Sequence, residues 1–347
     1  MAENSVSKCE KTPPKRVRRW LGFLMLFFMM GTLITYSLSS QLSWPLDFWR
    51  TSTWLSQSYD NMTTSVDSYF VAYPHQYHFI LDEPKRCRQE SPFLVLMIPV
   101  EPNNREARDI IRNTWGKESK VLGQVVVHYF LLGTVRQEDG TEPLNKKQVL
   151  HESERHHDIL QSDFLDSYNN LTIKTMVMFE WLSSHCPNTC YAMKIDSDMF
   201  LNVHNLVDML LKAPRRHYMT GMVARSGAVL RDPNSKWFLP VSAFSESQYP
   251  PYALGLGYVF SLDLPKKILE ASAHVKAVYI EDVYVGLCMN HLGIDLTDPP
   301  HGGLFMGTLP FFKGNCYWTS VITTILTNSK QLLDIWGTYQ TQIQSGC

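Results

Sequence analysis

Tyr191-Ala-Met-Lys-Ile-Asp-Ser-Asp-Met-Phe-Leu-Asn202 reads as a strand that ends on two aspartates. Residues i and i+2 of an extended segment project to one side. Asp196 and Asp198 therefore present two carboxylates together at a strand end, a hard-oxygen site suited to a divalent cation. Lys194 falls on the same side and is available to help hold an anion. The stretch thus suggests a metal ion held against a diphosphate. The pattern itself is common: 33 acidic residues in 347 give about three acidic-x-acidic pairs by chance. Glu152 and Glu154 form another, in a polar stretch read as a solvated helix face. Taken alone, Asp196 and Asp198 serve a turn or helix cap as well as a metal.

The flanking chain supplies the context. Phe93 to Val100 is a continuous apolar run, the mark of a strand buried on both faces. Arg105 to Trp115 reads as a helix, with Arg108 and Arg112 four apart on one face. Val125 to Leu132 is a second buried strand, and Glu142 to Asp158 a polar helix. Thr172 to His185 is an amphipathic helix offering Ile173, Met176, Val177, Trp181 and Leu182 to the core. Tyr191 to Ile195 is the third strand, and Val203 to Leu211 the helix after it. This alternation predicts an α/β fold, a Rossmann-like, mainly parallel sheet flanked by helices. In such sheets ligands bind beyond the carboxyl ends of the strands, where Asp196 and Asp198 fall. No Walker A loop and no Rossmann glycine fingerprint occurs, so nucleoside triphosphate hydrolysis and dinucleotide binding find no support.

The second half is richer in turns. Trp237-Phe-Leu-Pro240, Tyr249-Pro-Pro-Tyr252 and Gly255-Leu-Gly257-Tyr-Val-Phe-Ser261 combine aromatics, prolines and glycines. They read either as a turn-rich connection ending in a strand at Tyr258 to Leu262, or as a platform for sugar rings. Leu264 to Ala273 is a helix opened by Pro265. Glu281 and Asp282 precede a helix over Val283 to His291. Acids suit a helix N-terminus, and one of them also suits a general base that takes a proton from a substrate hydroxyl. His301, in Pro299-Pro-His301-Gly-Gly, is a possible metal ligand or a plain surface histidine. His156 and His157 read as solvated.

The N-terminus sets the compartment. Six basic residues between Lys8 and Arg19 precede Trp20 to Leu46, which contains no charged residue. A bilayer-spanning helix needs about 20 mostly apolar residues, and a basic flank before it keeps the N-terminus cytoplasmic. The rival, a cleaved signal peptide, has an apolar core of only ~7–15 residues. The expected organisation is a cytoplasmic tail over 1–19, a signal-anchor helix over 20–40, a stem over 41–90 and a lumenal domain over 91–347. Cys9 would be cytosolic. Cys87, Cys186, Cys190, Cys288, Cys316 and Cys347 would face an oxidising lumen, where disulfides persist. Six cysteines allow 15 pairings, and the sequence does not choose among them. Cys186 and Cys190 lack the spacing of a redox or zinc pair. Asn61-Met-Thr and Asn170-Leu-Thr are N-glycosylation sequons. A formal net charge of −1, without a basic aromatic face, gives no sign of nucleic-acid binding.

Five segments in order resemble one family, the Golgi type II β-1,3-glycosyltransferases of glycosyltransferase family 31. They are Arg105 to Gly116, Asp158 to Thr175, Lys194 to Asn202, Tyr249 to Tyr252 with Gly255 and Gly257, and Glu281 to Gly286. The β-1,3-galactosyltransferase branch is closest in the wording Glu281-Asp-Val-Tyr-Val-Gly-Leu-Cys288 and in the tail ending on cysteine. The resemblance implies a GT-A fold and inverting, Mn²⁺-dependent transfer of galactose from UDP-galactose to the 3-hydroxyl of an N-acetylglucosamine-terminated glycan. The acceptor would be carried on a glycoprotein or glycolipid. It implies Asp198 as main metal ligand, Asp196 facing the ribose or a metal water, and Asp282 as base. Arg108, Arg112 and Lys194 are implied donor-site residues. Ala253-Leu254 and Leu256 depart from the small or polar residues usual beside the glycines, which bears on acceptor choice. The spacing over Asp298 to Phe312 also departs, which bears on whether His301 takes the family's metal-binding histidine position. Transfer of N-acetylglucosamine or N-acetylgalactosamine by the same fold remains the rival within the class. A silent glycan-binding Golgi protein is the rival outside it.

Overall fold

The computed structural model describes residues 69–135, 146–311 and 313–347. The tail, the signal-anchor helix, most of the stem, Cys9 and the Asn61 sequon lie outside the described residues. Among the described residues no helix is long and apolar enough to cross a membrane.

The β-branched and aromatic runs form one large sheet. Its strands are β1 (Phe79–Leu81), β2 (Leu94–Pro99), β3 (Lys120–Val121), β4 (Gln124–Thr134), β5 (Ile159–Leu165), β6 (Tyr191–Ile195), β8 (Met219–Ala224) and β9 (Tyr252–Ser261). The order is β1-β5-β4-β2-β6-β9-β8, with β3 folded onto β4. The central strands β5, β4, β2 and β6 run parallel. Both flanks are antiparallel, β1 on β5 at one side and β9 then β8 on β6 at the other. The sheet is therefore mixed rather than mainly parallel.

Each strand feeds two cores. Along β2, Leu94, Leu96 and Ile98 pack with the helices Arg105–Asn113, Val203–Leu211 and Gln331–Gln344. Val95 and Met97 point the other way, toward the helices Leu171–His185, Leu264–Ser272 and Glu281–His291. Burial on both faces explains the unbroken apolar run. In β6, Tyr191, Met193 and Ile195 take the first face and Ala192 the second. Lys194, next in that alternation, is turned toward the Glu281–His291 helix.

A second, three-stranded sheet joins β7 (Met199–Leu201), β10 (Phe305–Met306) and β11 (Thr323–Ile325) in the order β10-β11-β7. It starts one residue after Asp198, so Asp196-Ser-Asp198 is the turn that carries the chain between the two sheets.

Residues 69–90, assigned from sequence to the stem, pack on this fold. β1 edges the sheet, the Val71 N–H donates to the Ala277 carbonyl at 2.8 Å, and the Tyr73 hydroxyl donates to Glu180 at 2.8 Å. Aromatic side chains supply the burial here, where an aliphatic count sees little. Glu152, read as solvated, is 1% exposed because it pairs with the fully buried Arg108. Cys87 pairs with Cys186 and Cys316 with Cys347, while Cys190 and Cys288 stay free. Asn170 donates from its side chain to the Leu165 carbonyl at 2.8 Å, and Thr172 of the same sequon is buried.

Candidate active site

Backbone hydrogen bonds set the Asp196-Ser-Asp198 turn at both ends. The Asp196 N–H donates to the Leu256 carbonyl of β9 at 3.1 Å, and the Asp198 carbonyl accepts from Leu326 at 2.9 Å. The turn is thus clamped between β9 of the large sheet and the residue after β11 of the small one.

The Glu281–His291 helix brings a second pair of acids. Its first residue, Glu281, is 7% exposed. Tyr258 donates its hydroxyl to Glu281 Oε1 at 2.7 Å, and Lys194 Nζ stands 3.6 Å from Oε2. The two partners face each other across β6 and β9, Lys194 opposite Tyr258, so both side chains reach the helix from the same face. Asp282 Oδ2 accepts the Gly255 N–H at 2.9 Å, and Oδ1 accepts the Val283 N–H at 2.9 Å. A β-carbon on Gly255 would sit 3.0 Å from Glu281 Oε2 and 3.5 Å from Asp282. The glycine lets the strand backbone come close enough to donate to the carboxylate.

Lys194 ties the two pairs together. Its ammonium donates to Asp196 Oδ1 at 2.7 Å and to the Gly255 carbonyl, and faces Glu281 with the remaining N–H. An ammonium has three donors, so Lys194 is committed to protein acceptors instead of to a free anion. Burial lowers the pKa of this ammonium, but Asp196 and Glu281 outweigh that, and the net shift is upward.

The carboxylates are under-compensated. The Asp198 carboxyl is raised by burial and then by Asp196, and burial raises Glu281 and Asp282 as well. Asp196, Asp198, Glu281 and Asp282 share the buried cation Lys194, with Lys236 in electrostatic reach of Asp198 and the buried Lys174 in reach of Asp196. Among the described residues no other residue donates a hydrogen bond to the Asp198 carboxylate, and no three His, Cys, Asp or Glu group to hold a metal. Asp196 and Asp198 would offer a metal two carboxylates. That fits a Mg²⁺-like or Mn²⁺-like ion whose other ligands are phosphate and water oxygens.

The remaining expected site residues lie elsewhere. Arg108 spends its donors on Glu152, at 2.8 and 2.7 Å, and on the carbonyls of Glu101 and Pro102. Arg112 is paired with Asp158 at 2.8 and 2.7 Å, and with Asp109 and Glu152. Both arginines brace the Arg105–Asn113 helix against the helix Lys146–His156 and the start of β5. His301 is exposed and lines a separate pocket with Asn205, Asp208, Thr297 and Asp298. Sequence reasoning passed over Tyr258 and Lys236. The cross-strand pairing of Lys194 with Tyr258 becomes visible only once the register is known.

Comparison with known proteins covers this same region. Residues 106–300, which include Asp196, Asp198 and Asp282, match the family model Galactosyltransferase. Proteins named Beta-1,3-galactosyltransferase 2 from Pongo abelii and Homo sapiens are each 39% identical over 282 residues, or 80% of this chain. The chain spans 66% of the length of those two relatives. Beta-1,3-galactosyltransferase 1 from Mus musculus is 42% identical over 224 residues, 64% of this chain and 67% of that protein. Likeness to the solved WbbM bifunctional glycosyltransferase apo structure is slight, with a TM-score of 0.40 at 12% identity over 73% of this chain and 50% of that one.

Proposed function

This chain belongs to the galactosyltransferase family, and from that premise we propose that it transfers galactose from UDP-galactose in β-1,3 linkage to an N-acetylglucosamine-terminated glycan, with inversion. The observation that carries the reading is the meeting of two acid pairs from distant segments. Asp196 and Asp198 come from the inter-sheet turn, and Glu281 and Asp282 from a helix start, all in electrostatic contact around Lys194.

In the proposed reaction Asp282 is the base. Its carboxylate takes the proton of the acceptor 3-hydroxyl as that oxygen bonds to the anomeric carbon and the bond from that carbon to the UDP oxygen breaks. Attack from the face opposite the leaving group inverts the centre, so one carboxylate base suffices and no second carboxyl nucleophile is needed. Two backbone N–H donors orient Asp282 without consuming both lone pairs of either oxygen. Asp198 and Asp196 would hold Mn²⁺ against the donor diphosphate, Asp198 as the main ligand and Asp196 also facing the ribose or a metal-bound water. When bound, the cation offsets the negative charge that develops on the departing UDP. Lys194 positions Asp196 and Glu281. The GT-A assignment and a type II Golgi membrane setting belong to the same proposal. The mixed α/β sheet, with its acids beyond the end of β6, and the basic, then apolar, N-terminal sequence support them.

The test is UDP release by the purified protein with Mn²⁺ across a panel of UDP-sugars and acceptors. Release with UDP-galactose and a β-N-acetylglucosaminide is expected. Release only with UDP-N-acetylglucosamine or UDP-N-acetylgalactosamine would reassign the donor, and release with none would remove the enzyme reading.

A further inference from the structure

Two exposed aromatic rings stand beside the carboxylates, brought there from distant parts of the chain. Tyr168, in the 3-10 turn Tyr168–Asn170 after β5, is 44% exposed, and Trp237 is 47% exposed. The Tyr168 hydroxyl is in electrostatic reach of Trp237, Asp282, Asp196 and Glu281. Lys236 Nζ stands 4.4 Å from the centre of the Trp237 ring and 5.6 Å from that of Tyr168.

The loop that presents Trp237 is fixed from behind. The Tyr279 hydroxyl is 3.0 Å from the Lys236 carbonyl and 2.9 Å from that of Phe238. Phe238 turns inward and packs edge-on against Tyr69, with ring centres 5.6 Å apart. Arg231 donates to the carbonyls of Leu239, Phe244 and Glu246. A large apolar ring left in water on a well-tied loop is an informative exception to burial. The other aromatic segment of this half serves differently. Tyr249 is 6% exposed, and Tyr252 packs so tightly on Gly286 that a β-carbon there would come within 2.5 Å of it. Those two rings are wall, not platform.

We propose that Trp237 and Tyr168 form the platform on which the acceptor sugar ring stacks, placing its hydroxyl toward Asp282. The sugar's C–H face stacks on the exposed surface of Trp237, since the negative face of an indole attracts polarised C–H bonds as it attracts the Lys236 cation. The proposal rests on the transferase reading for its chemistry but not for its binding event.

The experiment measures KM for methyl β-N-acetylglucosaminide and for UDP-galactose, together with glycoside binding by saturation-transfer NMR, in the full chain. Trp237→Ala is expected to raise the acceptor KM tenfold or more while moving the donor KM less than twofold, and to abolish the NMR signal. Trp237→Phe keeps a ring and should recover most of the loss. An unchanged acceptor KM, or donor and acceptor KM rising together, overturns the platform. If the wild type releases no UDP yet binds the glycoside through Trp237, the platform stands and the transferase reading falls. A wild type that neither turns over nor binds the glycoside overturns both.

Discussion

Asp282 is held above the ordinary carboxylate range by burial, although Gly255 and Val283 donate to it. The sign for catalysis is direct. A raised carboxyl keeps its proton to higher pH, and a base must have lost it. Activity should therefore climb with pH through a limb above 3.8, the value for a free aspartate. A kcat/KM profile with its acid limb at the free-aspartate position contradicts the assignment. For stability the sign is opposite. Between the unfolded and folded values the folded state binds a proton that the unfolded state has released, so stability falls as pH rises through that window. Asp282→Asn should accordingly unfold no more easily than the wild type at neutral pH, as seen by its melting temperature. Lys194 is the reverse case. Removing it as Lys194→Met leaves the buried Glu281 without its counter-ion, a change of about 3–5 kcal/mol for buried pairs, while the half-exposed Asp196 adds little. Denaturant unfolding measures this, and a loss below about 1 kcal/mol would show that the pair is effectively solvated.

At the scale of elements, the Arg105–Asn113 helix is pinned by Arg108–Glu152 and Arg112–Asp158. Burial alone raises the Glu152 and Asp158 carboxyls, but their arginine partners outweigh it and leave both below their ordinary values. This stability is present above 4.5 and 3.8, the unfolded values, and is lost as pH falls through the depressed folded ones. Glu152→Gln should flatten the acid limb of a stability-versus-pH curve, and an unaltered limb contradicts the pairing. Gly286→Ala would set a β-carbon 2.5 Å from the Tyr252 β-carbon and 2.9 Å from the Pro251 carbonyl. Overpacking of that kind costs about 1–3 kcal/mol, readable as a lowered melting temperature. Much at this scale was legible in the sequence. The apolar runs of β2, β4 and β6 and the helix after β7 fall where periodicity and composition place them. The helix expected from Val283 starts two residues earlier, at Glu281, so Asp282 stands in its first turn. β5 and β9 were obscured. β5 opens at Ile159, only three residues after the charged Lys146–His156 helix ends, and in β9 Gly255 and Gly257 imitate a turn while β6 and β8 hold the strand extended. The site aspartates were visible as a pair, but the charge balance around them was not. It depends on which face of β6 carries Lys194 and on the β9 register.

For the molecule as a whole, Cys87–Cys186 closes a loop of 99 residues and Cys316–Cys347 one of 31. The first ties the segment before β2 to the end of the Leu171–His185 helix, and the second fastens the C-terminal helix beside the small sheet. Loop closure of the longer kind contributes on the order of 2–5 kcal/mol. A Cys87→Ser/Cys186→Ser double variant should lose about that much in denaturant unfolding, and more than the Cys316→Ser/Cys347→Ser variant. Both sheets meet at the turn that carries Asp196 and Asp198. The most direct measurement is galactosyl transfer from UDP-galactose by Asp282→Asn and Asp198→Ala, with donor binding followed in parallel by calorimetry in the presence of Mn²⁺. Asp282→Asn should lose turnover and still bind donor, while Asp198→Ala should lose both. Undiminished transfer by either variant contradicts the assignment of base and metal carboxylate to these two acids.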